Sequence, residues 1–194
     1  MRLRLPACAA ALALLTACSG SDSGANHRSD PAPCPVQTGS PSSDEAERLA
    51  AALEPLVERG GTYEKVYGAM VVDHPERGRL ALCLSDPAGF PEISAAVKKR
   101  DPKADTSRLD LYVSRYSRTD LEARVDKLVD TAMGKRKKVD YGFPVRESSA
   151  LEDASGISVG TTREGAASRE FRERLEKATG VPVSVEYAPQ AQLD

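Results

Sequence analysis

The fold is decided by Tyr67-Gly68-Ala69-Met70-Val71-Val72-Asp73-His74-Pro75-Glu76-Arg77-Gly78-Arg79-Leu80-Ala81-Leu82-Cys83-Leu84. Two apolar runs rich in strand-forming residues flank His74-Pro75-Glu76-Arg77-Gly78, a segment built for a turn. The stretch reads as a strand ending at Asp73, a turn, and a returning strand from Arg79 to Leu84. Downstream, Pro91 suits the first turn of a short helix carrying Ile93, Ala96 and Val97. From Arg108 to Tyr116, Leu109, Leu111 and Val113 alternate with polar residues as in a half-buried strand. Strand, strand, helix, strand is therefore the order of residues 62–116.

Thr119-x-x-Glu122 opens a further helix with Leu121, Val125, Leu128, Val129 and Ala132 along one stripe, closing the first lobe. The rest is a second pass over the same plan, residues 139–187. Val139 to Val145 is a candidate strand and Gly156 to Thr161 its partner. Ser168 to Thr179 is an amphipathic helix turning Phe171, Leu175 and Ala178 inward, stopped by Gly180. Val181 to Tyr187 closes the unit. The two copies share a pattern and little identity. The expected fold class is α+β: two similar strand-strand-helix-strand units, each a small antiparallel sheet with helices on one face.

Upstream of the first unit, Ser42-x-x-Glu45 has the form of a capping box, and Leu49, Leu53, Leu56 and Val57 lie on one helical face. Gly60-Gly61 stop this helix, and Pro55 should kink or split it. Residues 19–43 are rich in Ser, Asp, Gly and Pro, a composition that buries too little apolar surface to offset ordering entropy. They read as a flexible spacer.

The chain opens Met1-Arg2-Leu3-Arg4, and from Leu5 to Ala17 only Pro6 and Thr16 fall outside the apolar set. Spanning a bilayer takes about 20 residues, so this shorter core reads as the hydrophobic region of a signal peptide. It ends in Leu15-Thr16-Ala17-Cys18, which resembles the bacterial lipobox. That resemblance implies a diacylglycerol on the Cys18 thiol, palmitate-type acylation, and cleavage just before Cys18. The protein would then hang from the extracytoplasmic face of the cell membrane by lipid, which two acyl chains hold stably. An ordinary secretory signal with an incidental cysteine is the alternative. The expected division is 1–17 signal peptide, 18–43 lipidated cysteine and spacer, 44–134 first lobe, and 135–194 second lobe with a C-terminal tail.

Composition narrows the function. Loss of Arg2 and Arg4 with the leader takes the 27 basic residues to 25, against 29 acidic. Nucleic-acid binding needs a clustered positive field and is not expected. Aromatic residues make up 5% of the chain and Trp is absent, which disfavours stacking platforms for bases or sugars. Cys8 leaves with the leader and Cys18 takes the lipid, so Cys34 and Cys83 remain. In an oxidising compartment they are expected to pair, tying the base of the spacer to the second strand, with two free thiols as the alternative. No Cys-x-x-Cys or paired histidines accompany them, so neither metal nor cofactor is expected.

Two segments are similar to the propeptides of secreted bacterial serine proteases of the α-lytic type. One is Tyr67 to His74 with its Gly turn and returning strand. The other is Leu111-Tyr112-Val113-Ser114-Arg115-Tyr116-Ser117 followed by Leu121-Glu122 in a helix. The resemblance extends weakly over residues 62–187. It implies a module that binds or inhibits an exported protease through its sheet, with Tyr187, Ala188, Pro189 and Gln190 opening a partner-binding tail. The sequence departs from the pattern in that no protease domain follows Asp194, so a stand-alone binder is expected rather than a foldase.

No catalytic constellation can be assembled from the sequence. Serine-nucleophile chemistry needs a base, and His74 is the one histidine of the 44–194 region, read as a surface turn residue. No Gly-x-Ser-x-Gly elbow, phosphate-cradling loop or His-Glu-x-x-His occurs. The runs Lys98-Lys99-Arg100 and Lys135-Arg136-Lys137-Lys138 fall near helix C-termini, where cations complement the dipole. They read as solvated faces or as contacts with anionic envelope polymer or lipid. The expected function is a membrane-anchored, non-catalytic binding module. The alternative is a structural envelope lipoprotein contacting wall polymer or membrane.

Overall fold

The computed structural model describes residues 32–37, 42–134 and 139–189. The expected leader, the lipidated Cys18, most of the spacer, the 135–138 basic run and Gln190 lie outside them. The element order is α1 (Asp44–Val57), β1 (Tyr67–Val72), β2 (Leu80–Leu84), α2 (Phe90–Arg100), β3 (Leu109–Val113), α3 (Arg118–Ala132), β4 (Glu147–Ala150), β5 (Ile157–Thr161), α4 (Arg163–Ala166), α5 (Arg169–Thr179) and β6 (Val183–Tyr187). The class is α+β, with two three-stranded sheets ordered β1-β2-β3 and β4-β5-β6.

The strand-strand-helix-strand repeat is present, and each sheet is mixed where wholly antiparallel sheets were expected. β1 runs antiparallel to β2 and β4 to β5, while β2 with β3 and β5 with β6 are parallel. The reason lies in the connections. A tight turn returns the chain antiparallel, but a helix between two neighbouring strands carries it back to start the next strand in the same direction.

Each sheet has its own core. In the first, Leu80, Leu82 and Leu84 of β2 meet Leu49 and Leu53 of α1 and Ile93 and Val97 of α2. In the second, Ile157 and Val159 of β5 meet Phe171 and Leu175 of α5, with Val183 and Val185 of β6. The inward pairs of α2 and α5 are each four residues apart, one turn of helix. α3, expected to close the first lobe, instead buries Leu121 and Leu128 in the second core. The repeated unit is thus longer than the sequence suggests: helix, strand, strand, helix, strand, with α1 and α3 as equivalents.

Several boundaries move for local reasons. The cap of α1 is Ser43, whose Oγ accepts the Ala46 N–H, while the Ser42 hydroxyl turns to Glu47. Pro55 sits in the last turn of α1 and does not split it, because the helix ends two residues later and the missing N–H costs one terminal bond. Ser117, and not Thr119, caps α3 by accepting the Asp120 N–H at 3.2 Å. α5 follows its expected range, capped by Ser168 and closed by Gly180 at φ 71°, a left-handed position suited to glycine.

The candidate strand Val139–Val145 is not a strand. Asp140 accepts the Gly142 N–H at 2.8 Å, and Gly142 has φ 96°. Pro144 offers no N–H to a ladder. Tyr141, Phe143 and Val145 still pack on the second core, so the apolar run reports burial without strand geometry. The strand is the polar Glu147-Ser148-Ser149-Ala150, paired with Gly160, Val159, Ser158 and Ile157.

Candidate functional site

Alternation along a strand sends Leu80, Leu82 and Leu84 toward the helices and Ala81 and Cys83 to the opposite face. Ala81 and Cys83 are nonetheless fully buried, and Ala69 and Val71 on the same side nearly so. Chain from before α1 accompanies them. Val113 donates its N–H to the Ala32 carbonyl at 2.9 Å and accepts the Cys34 N–H at 3.0 Å, so Pro33 pairs with Val113 in parallel at the outer edge of β3. Cys34 is bonded to Cys83, Cα to Cα 5.5 Å, and Gln37 Oε1 accepts the Val72 N–H at 3.2 Å on β1. Residues 32–37 therefore form a strap from β3 toward β1, across a face whose small residues allow close approach. The expected Cys34–Cys83 pairing is present. In the chain-entropy account, closing a loop of 49 residues' separation stabilises the fold by about 4 kcal/mol.

Asp73 fastens the hairpin turn to α1. Its carboxylate accepts the Ser43 N–H at 2.8 Å, the Ser43 hydroxyl at 2.5 Å and the Gly78 N–H at 2.6 Å. The Ser43 hydroxyl, then the Gly78 N–H, hold its pKa below the usual carboxylate value. Asp73 has φ 53°; aspartate is among the residues that tolerate this left-handed region. His74 beside it stacks edge-on against Tyr112, ring centroids 5.4 Å apart. The Asp73 carboxylate is spent on structure, which is the relation expected of a turn and its cap.

The expected C-terminal tail divides into parts with different roles. Ala188 belongs to the fold: it is 3% exposed, donates its N–H to the Thr161 carbonyl at 2.9 Å, and accepts a hydrogen bond from the Arg146 guanidinium. Tyr187, the last residue of β6, is 49% exposed. Arg163 lies over its ring with the guanidinium carbon 4.8 Å from the centroid, a cation–π contact. Pro189 is exposed. Arg146 and Arg163 come from before β4 and from α4, so no local motif around Tyr187 announces them.

On the face of the second sheet away from its core, Ser149, Ser158 and Ser184 stand in one row and Glu147, Gly160 and Glu186 in the next. A Cβ on Gly160 would fall 2.4 Å from Glu147 Cγ and 2.6 Å from Ala188 Cβ. Lys98, Lys99 and Arg100 close α2 on exposed positions, and Lys98 reaches the Ala104 carbonyl at 2.9 Å. No helix among the described residues is long and apolar enough to cross a membrane, and no group of three or more metal-ligating side chains is found among them. No protein-family model matches the chain, and comparison with curated proteins finds no match.

Proposed function

We propose that the protein is an exported lipoprotein, anchored through Cys18 to the extracytoplasmic face of the membrane, whose two-lobed domain is a non-catalytic module that binds another exported protein. The observation carrying the compartment is the Cys34–Cys83 cystine at the start of the folded domain. Cystines of this kind persist in oxidising surroundings and are rare in the cytosol. The apolar leader ending in Leu15-Thr16-Ala17-Cys18 agrees with that address. The exposed Tyr187 with Arg163 stacked on it, at the end of an edge strand, is a contact surface suited to a protein partner, since aromatic and Arg side chains anchor such interfaces.

The test uses the purified chain as bait for secreted proteins of its own host, with any captured protease assayed for inhibition. Capture of a defined exported protein, weakened when the chain is cut after Ala188 or when Tyr187 becomes Ala, is the expected result. An empty bait that binds only isolated envelope polymer overturns the reading in favour of a structural envelope protein. Hydrolase activity lost in His74→Ala would overturn its non-catalytic part.

A further inference from the structure

The two lobes share a plan down to hydrogen bonds at the ends of their last strands. Leu84 of β2 pairs with Val113 of β3, and Thr161 of β5 pairs with Tyr187 of β6. In each lobe the next residue's N–H bonds the central strand: Ser114 to the Leu84 carbonyl at 3.0 Å, and Ala188 to the Thr161 carbonyl at 2.9 Å. Strand alternation then turns the N–H and C=O of Val113, and equally of Tyr187 and Val185, to the outer edge.

The equivalent edges differ in what covers them. Val113 is paired by the strap, Ala32 and Cys34 facing it and Pro33 between. Pro33 has no N–H to offer a further strand, so that edge of the first sheet is closed. At β6, the Glu176 carboxylate accepts the Val183 N–H at 3.4 Å. Among the described residues nothing pairs with the outward backbone groups of Val185 and Tyr187. Glu186 and Tyr187 are exposed.

We propose that the outer edge of β6 receives an extended segment of the partner protein, running parallel to the strand. A small residue or proline would lie opposite Tyr187 and an acidic residue just beyond it. The proposal rests on the binding-module reading and names the surface and the ligand chemistry. The strap is the internal template. It shows that this edge geometry accepts one carbonyl and one N–H from residues two apart, with proline tolerated between them, in parallel orientation. Addition of a strand to an open sheet edge is a common mode of peptide recognition. Parallel orientation carries the ligand's C-terminal side past Tyr187, to the end of β6 where Arg163 and Arg146 lie. The Glu164 carboxyl nearby is held below its usual pKa chiefly by its own backbone N–H and the Thr162 hydroxyl, with Arg163 and Arg146 adding a smaller attraction, and a ligand carboxylate at the end of β6 would meet the same two positive charges. Gly160 stands at the register position that Cys83 occupies in the first sheet, opposite Glu186 as Cys83 is opposite Tyr112. The first edge is fastened covalently; the second has no cysteine and must bind reversibly.

The experiment titrates the nitrogen-15-labelled full chain, in mild detergent, with three synthetic peptides. The first carries the core Ser-Ala-Pro-Ser-Asp. The second is N-methylated at the serine after proline, and the third has Asn in place of Asp. The expected result is saturable amide shifts confined to Val185–Ala188 with the first peptide. N-methylation weakens binding about tenfold, the loss of one backbone hydrogen bond with its partner left unpaired. Tyr187→Pro weakens it similarly, and the advantage of Asp over Asn disappears in Arg163→Gln. No saturable shift, shifts elsewhere, or equal binding of the N-methylated peptide overturns the proposal, and the N-methyl result does not depend on any variant folding. Because no exported partner is needed, failure here leaves the binding-module reading standing on another surface. An empty bait with peptides still bound at β6 would sink that reading instead.

Discussion

Val113 and Tyr187 hold the same position in two repeated sheets, each opposite the last residue of a central strand and followed by a residue bonded back to that strand. Val113 is paired by Ala32 and Cys34, while Tyr187 is exposed at an open edge. One plan thus yields a lobe whose edge is closed toward the spacer and a lobe whose edge is open. In the proposed function, the closed lobe lies next to the anchor and the open lobe meets the partner.

The strap makes the first lobe sensitive to reduction. Cys34→Ser with Cys83→Ser, or reductant alone, is expected to lower stability by about 4 kcal/mol. The Val113 amide should lose its protection, while the amides of β5 keep theirs. Denaturant midpoints with and without reductant, read together with hydrogen exchange, check both parts.

Asp73 gives stability a pH dependence with a definite sign. Its folded-state pKa is lowered by the Ser43 hydroxyl and the Gly78 N–H. Its contribution is therefore fully present above the unfolded carboxylate value of about 3.9 and is lost as pH falls through the folded value. Asp73→Asn is expected to remove that component, so the wild-type and variant stability curves converge as the solution is acidified. Denaturation from neutral pH down to pH about 2 measures the convergence.

Much of the fold was legible because core positions and stop signals coincide. α5 shows its Phe171 and Leu175 face between the Ser168 cap and Gly180, and β2 is an uninterrupted buried run. The cystine followed from counting thiols. What escaped was set by tertiary context. β4 is a four-residue polar strand that exists because β5 offers it a partner, and the more apolar 139–145 segment packs without pairing. The parallel pairings depend on where each helix crossover lands. Around Tyr187 the guanidiniums come from distant chain, Ala188 turns out to belong to the fold, and the open edge is visible only beside its covered equivalent.

The assignment of α3 to the second core has a direct consequence. Leu121 is fully buried there, so Leu121→Ala is expected to cost about 2–5 kcal/mol. It should accelerate exchange of β5 and β6 amides before those of β2. Residue-resolved hydrogen exchange of the variant checks the order.

Gly68 is fixed by proximity. A Cβ there would lie 2.1 Å from Ser114 Oγ and 3.2 Å from Ala154 Cβ. Gly68→Ala is expected to destabilise by about 1–3 kcal/mol through overpacking, with Ser114→Gly restoring part of the loss. A double-mutant cycle on thermal or denaturant midpoints gives the coupling.

The central claim is that the protein works at a membrane surface, held by lipid on Cys18. Its most direct test is labelling of growing cells with a radioactive or clickable palmitate, followed by isolation of the protein and cell fractionation. The account predicts label on the membrane-fraction protein, a mature N-terminus at Cys18, and loss of both label and membrane retention in Cys18→Ser. An unlabelled protein, or label that persists in Cys18→Ser, would contradict it.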